Sequence, residues 1–134
     1  MAEDNKNFEL KIITPERTFY EGEVHMVEFN TTEGQIGVYR NHIPMTVIIK
    51  PGVITIRGEE VLKAALHSGF AQILQDKITI LAEVIEWPDE IDKDRAQAAR
   101  DRAEKLIAEH ASSTDMARAE TALSRAMARI NVLK

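Results

Sequence analysis

The chain has 134 residues, 44% of them hydrophobic and 29% charged, with a formal net charge of −5 and no cysteine. That length suits one cored domain with an appendage better than two full domains. The composition excludes disulfides and thiolate metal sites, no stretch nears the roughly 20 apolar residues of a membrane span, and the acidic balance disfavours a dedicated nucleic-acid binder.

In chain order, the opening MAEDNKNFEL is acidic and lacks the basic start and apolar run of a secretory signal, so a cytoplasmic chain is expected. From Phe8 to Ile85, short runs rich in Val, Ile, Phe and Thr alternate with turn signals such as "EGE", "TTEGQ", "KPG" and "HSG". Val27 and Phe29 alternate with Glu28, and Ile78, Ile80, Ala82 and Val84 with Thr79 and Glu83, as half-buried strands do. The expected fold is therefore a flattened antiparallel β-sandwich or barrel.

The grammar changes at Pro88. All six glycines and all seven aromatics precede it, whereas the 47 residues from Pro88 on hold eleven alanines. The boundary divides a sandwich domain, 1–87, from a helical one, 88–134. It also divides the charge: 8 basic and 13 acidic residues before it, 9 and 9 after. Asp89 is the expected N-cap of a first helix, with Glu90 and Asp92 in its first turn and an end near His110. Its apolar side carries Ala96, Ala99, Ala103 and Leu106. Residues Ala111 to Thr114 supply a short connection and a new cap, after which Met116, Ala119, Leu123, Met127 and Ile130 recur at helical spacing. Two helices so joined form an antiparallel hairpin, and their small side chains imply weak docking and freedom to move.

The four histidines, His25, His42, His67 and His110, show no ligand-like spacing, so no metal site is expected. Nor does a nucleophile or second acid accompany His42 to make it a catalytic base. The arginines are more informative, because each can be tested against acids three or four residues away. Arg95 has Asp92, Arg100 has Glu104 and Arg118 has Asp115. Arg102, Arg125 and Arg129 have none. Three uses remain open for them: solvated surface or acids on the sandwich, an acidic partner protein, or a phosphate-bearing ligand whose oxygens suit guanidinium forks. A nucleic-acid-binding hairpin is disfavoured by its balanced charge and its lack of stacking aromatics.

Taken together, "TPERTFYEGEVHMVEF", "TEGQIGVYRNHIPMTVIIKPGVITI", "HSGFAQI", "KITILAE", "IDKDRAQAARDRA" and "RAETALSRAMARINV" resemble, in order and spacing, the epsilon subunits of bacterial F-type ATP synthases. The resemblance implies a ten-stranded sandwich with a two-helix hairpin, and a non-catalytic rotor subunit of the central stalk. Such a subunit sits at the cytoplasmic face of the cell membrane as a peripheral component, without inserting, against the gamma subunit and the c-ring. Gln35 and His42 are the implied c-ring contacts, although Tyr39 and Arg40 replace a frequent Leu-Pro pair and Gln35 a frequent Glu. The implied hairpin either folds on the sandwich or extends along gamma into the alpha/beta catalytic head, where it blocks hydrolysis. In several relatives the folded form binds ATP as a regulatory ligand. The matching positions here are Glu86, Ile91, Asp92, Arg95, Ala96, Arg102, Arg125 and Arg129. Binding without hydrolysis is expected, since the hairpin has no glycine-rich phosphate loop. A free-standing cytoplasmic ATP sensor is the alternative.

Overall fold

Every second residue of the first strand is buried, and the same rhythm carries Leu10 and Ile12, Val27 and Phe29, Ile54 and Ile56, and Ile78 and Ile80 into one apolar core. In this computed structural model, which describes residues 6–109 and 112–134, eight strands enclose that core. They are β1 (Phe8–Ile13), β2 (Thr18–Val24), β3 (Met26–Thr31), β4 (Gly34–Val38), β5 (Met45–Ile49), β6 (Gly52–Arg57), β7 (Val61–Ile73) and β8 (Lys77–Glu86). The sheet runs β2-β1-β8-β7-β5-β3-β4, and β6 bridges β3 and β7, so the ribbon folds back on itself as a flattened sandwich. All pairings are antiparallel except that of β1 with β8.

The count is lower than about ten because β7 and β8 are long. β7 pairs with β6 through Val61–Leu66 and with β5 through Gly69–Ile73, serving both halves of the sandwich as one strand. It bends between them at Ser68 and Gly69, where the register with β8 shifts. Gly69 has φ 146°, and a Cβ there would run into the Leu81 carbonyl and lie 2.9 Å from the Ala82 Cα. The bulge also interrupts the alternation of β8: Ala82 is buried, but Ile85 rather than Val84 is the next residue inside.

A 3₁₀ turn at Pro88–Glu90 leads into α1 (Lys93–Ala108), and α2 (Ser113–Val132) runs back along it. The cap of α1 is Asp92, not Asp89: its Oδ1 accepts the Arg95 backbone N–H at 3.1 Å. Pro88 accounts for the shift, because its fixed φ starts the tighter turn first. Ser112 caps α2 by accepting the Asp115 N–H, whereas His110 and Ala111, expected at the helix end and connection, lie outside the described residues. The helices meet through Ala96, Ala103, Ala119 and Ala126, all buried. Leu106 stays 43% exposed, so α1 buries alanines alone on the side expected to carry it. α2 lies on β6 and β7, where Ala128 and Val132 pack on Ala65 beside Val53, Ile91 and Leu133.

Candidate functional site

Alternation along β7 sends Ala64 and Leu66 into the sandwich core and Ala65 and His67 to the outer face beneath α2. Glu86, paired with Ala65 across the ladder at the end of β8, is half-buried on that same face. Its Oε1 accepts from Arg129 Nε at 2.7 Å and from His67 Nε2 at 2.9 Å. Burial alone would raise the Glu86 pKa, but these two hydrogen bonds and the Arg129 charge hold it below the ordinary carboxylate value. For His67, which is fully buried, burial lowers the pKa and the Arg129 and Arg125 charges push the same way, outweighing Glu86. A neutral ring facing a carboxylate must donate from Nε2, which leaves Nδ1 as a buried acceptor without a partner. Arg125 Nε is likewise buried and unpaired.

The linker is fastened separately. Trp87 stacks on Phe19 of β2 at a centroid distance of 4.2 Å and 20° between planes. Glu90 folds back to accept the Trp87 backbone N–H at 2.9 Å and meets Arg17 through both carboxylate oxygens. The Trp87 N–H depresses its pKa most; slight burial opposes the shift and Arg17 adds to it.

Between linker, β8 and both helices opens a cleft of about 360 Å³, within the range of small-ligand pockets. Seven of the eight expected positions line it: Glu86 from β8, Ile91 and Asp92 from the linker, Arg95, Ala96 and Arg102 from α1, and Arg129 from α2. Arg125 does not; it lies under α2 on the His67 side. Arg95 and Arg102 are exposed at the cleft, and among the described residues neither forms an ion pair. Asp92 meets Arg95 through its backbone N–H, since capping uses the carboxylate the side-chain pairing would have needed. Arg118 forms no ion pair with Asp115 among the described residues. Arg100 does pair locally, with Asp101 at 3.2 Å and with Glu104 at 3.9 Å. Arg129 has found an acid on the sandwich, in Glu86.

Two cleft residues, Ala99 and Glu90, were not among the expected site positions, nor were His67 and Arg17 behind it. His67 had one signal: it follows Ala65 at period two in a run buried on both faces. Glu90 and Arg17 are 73 positions apart, and no local spacing links them. Gln35 and His42 lie at opposite ends of β4 and beyond it. Gln35 lines a groove beside Leu123 and Met127 of α2, while the His42 ring donates to the Ile43 carbonyl at 2.8 Å in the Tyr39–Pro44 loop.

The two parts of the chain match two family models. Residues 7–88 match the β-sandwich domain of the ATP synthase delta/epsilon chain, and residues 89–134 match its long α-helix domain. The chain belongs to the ATP synthase epsilon-chain family. It is similar to the ATP synthase epsilon chain of Caldanaerobacter subterraneus subsp. tengcongensis, 42% identical over 96% of this chain and 94% of that one. That of Clostridium novyi is also 42% identical, over 96% and 98% of the two chains. Among solved structures, a chain of the Euglena gracilis mitochondrial ATP synthase superposes with a TM-score of 0.84 at 18% identity, covering 97% of this chain and 83% of that one. Another, from the Tetrahymena thermophila mitochondrial central stalk and c-ring, gives 0.65 at 12%, over 95% and 96%; both likenesses concern the fold. As an epsilon chain, the molecule is a non-catalytic subunit of the ATP synthase central stalk. Among the described residues no helix is long and apolar enough to cross a membrane.

Proposed function

We propose that this epsilon chain couples rotation of a proton-driven c-ring, through gamma, to ATP synthesis, and restrains ATP hydrolysis through its hairpin. ATP bound in the cleft keeps the hairpin folded and so releases that restraint. The observation that carries the nucleotide reading is the cleft itself, which draws its walls from β8, the linker and both helices and presents two arginines without acids. Arg95 and Arg102 suit phosphate oxygens, Arg129 is within the same space, and Ile91 and Ala96 offer apolar cover to a purine. The adenine amino group would find an acceptor in the remaining Asp92 oxygen, in Glu86, or in a main-chain carbonyl near Ile91. A ligand spanning linker and hairpin shifts the equilibrium toward the folded form by its preference for that form.

Docking within the rotor is supported by exposed apolar side chains. Ile48, Phe70 and Leu81 face one another across β5, β7 and β8, and Tyr39 and Ile43 stand out from the loop that holds His42. We assign the strand face to gamma and the loop end to the c-ring, with the assembly peripheral at the cytoplasmic face of the membrane. Gln35 would reach the ring only from the groove at the other end of β4.

Calorimetric titration with ATP, with and without magnesium, tests the site. A fluorescence pair spanning the sandwich and the end of α2 tests the switch. Saturable binding with a shortened distance is expected; absence of heat at millimolar ATP refutes the site, and binding at unchanged distance refutes the switch. Stable co-purification with gamma separates a rotor subunit from a free-standing sensor.

A further inference from the structure

Arg17 lies on the turn between β1 and β2, away from both helices, and a tight local network fixes it there. The Thr14 N–H donates to the Arg17 carbonyl at 2.9 Å, and the Thr14 hydroxyl accepts the Arg17 N–H at 3.1 Å. From this turn the guanidinium lies with Cζ 5.1 Å from the Phe19 ring centroid, while Nη2 donates to Glu90 Oε1 and Oε2 at 2.9 and 2.8 Å. Glu90 is a cleft residue. Of the three cleft carboxylates, Glu86 is met by Arg129 and His67, and Asp92 is held by the N-terminus of α1. Only Glu90 takes its cation from the sandwich.

We propose that Arg17 is a positioning residue for the nucleotide cleft: it neutralises Glu90 and pins the 3₁₀ turn, so that the cleft facing a polyphosphate is net positive. This rests on the nucleotide reading above. The cleft lining alone carries three carboxylates against three guanidiniums, which gives a triphosphate no net attraction. Arg17 adds the cation that tips the balance, and its two contacts draw the Glu90 carboxylate toward β2. Without it, an unpaired carboxylate stands at the cleft mouth, and one unit charge roughly 12 Å from a phosphate charge, at an effective dielectric of about 20, changes anion affinity by about tenfold. The Phe19–Trp87 stack also holds the start of the linker, so the turn keeps that attachment when the ion pair is cut.

The test is calorimetric titration of the full chain with ATP in four forms: unmodified, Arg17→Ala, Glu90→Gln, and the two substitutions together. Arg17→Ala should weaken binding about tenfold at low ionic strength, with a smaller gap in high salt. Adding Glu90→Gln should return the affinity to within about twofold of the unmodified chain, since it removes the uncompensated charge, and Arg17→Lys should retain most of it. An Arg17→Ala chain that binds like the original overturns the proposal. So does a double variant as weak as Arg17→Ala alone, because that pattern marks a merely structural contact. Fluorescence of Trp87, the one tryptophan, reports whether the linker stack persists in each variant. An unmodified chain that takes up no ATP overturns the nucleotide reading and this role together, whereas normal uptake with an indifferent Arg17 overturns this role alone.

Discussion

The ion pair of Arg129 with Glu86 is the strongest polar tie between the hairpin and the sandwich, and Arg129→Met should loosen the hairpin without unfolding the sandwich. Methionine keeps much of the arginine stem's packing, so the substitution chiefly removes the charge. Stripping one partner from a fully buried pair costs about 3–5 kcal/mol, while an exposed pair is worth about 0.2–1 kcal/mol. Here the two side chains retain 30% and 24% of their exposure, so the loss should fall between these limits. His67 still donates to Glu86, which keeps the remaining carboxylate from being wholly unpaired. A cost of about 1.5–2 kcal/mol follows, equivalent to roughly 10–30-fold in the opening equilibrium of α2. Native-state hydrogen exchange reads this directly, because α2 amides should exchange faster by that factor while amides of Ile78 and Ile80 in the core remain unchanged. Arg100→Met is the control: its pair with Asp101 is exposed and stays within one helix, so docking should not change. If α2 exchange in Arg129→Met stays within about twofold of the original, the tie contributes nothing to docking and the reasoning fails.

Arg102→Ala should lower ATP affinity by about 10–100-fold, the worth of a charge-assisted hydrogen bond, whereas Arg100→Ala stays within about twofold and Arg125→Ala has the smaller effect of a residue outside the cleft; titration calorimetry separates the three. His67 has a depressed folded pKa, so below its ordinary value of about 6.5 the unfolded chain binds the proton first, and stability falls as pH drops from there. Glu86, also depressed, adds stability above its ordinary value that is lost as pH falls through its lower folded one. Urea melts from pH 7.5 to 5 should show the first slope, and His67→Leu should remove it. Gly69→Ala should cost more than about 2 kcal/mol, since the bulge places φ in the left-handed region and the Leu81 carbonyl in the way; thermal melts should fall by at least about 5 °C.

What the sequence displayed and what it hid follow from the range of the interactions. Strand alternation and helical spacing are local, so the sandwich and the hairpin could be read directly. The same locality found Arg102, because a missing acid at three or four residues is visible along one helix. It could not choose among the open uses of Arg129, whose acid lies 43 positions away on β8, and it misjudged Asp92, whose carboxylate serves the helix end rather than the Arg95 side chain. Val84 was misplaced because Glu83 is an extra residue in β8 between the partners of Ser68 and Gly69, which shifts the period, and such a bulge is set by the pairing with β7, which alternation within β8 does not encode. Arg17 and Glu90 needed the folded chain to meet at all.

These long-range charges also bear on the proposed control of the hairpin by a ligand. The helices bury mostly alanine against each other, and α2 adds little more than Ala128 and Val132 against the sandwich, so apolar burial holds the hairpin modestly. Arg129 with Glu86 ties α2 to the sandwich on one side of the cleft, while Arg17 with Glu90 fastens the linker on the other. A ligand present at 100 times its dissociation constant stabilises the form it binds by about 2.7 kcal/mol, more than the 1.5–2 kcal/mol assigned to the Arg129 tie. Under the proposed reading, nucleotide in the cleft would more than offset the loss of that one tie, whereas a larger apolar interface would leave a ligand less to decide. The short side chains of the hairpin are thus what the proposed switch would require.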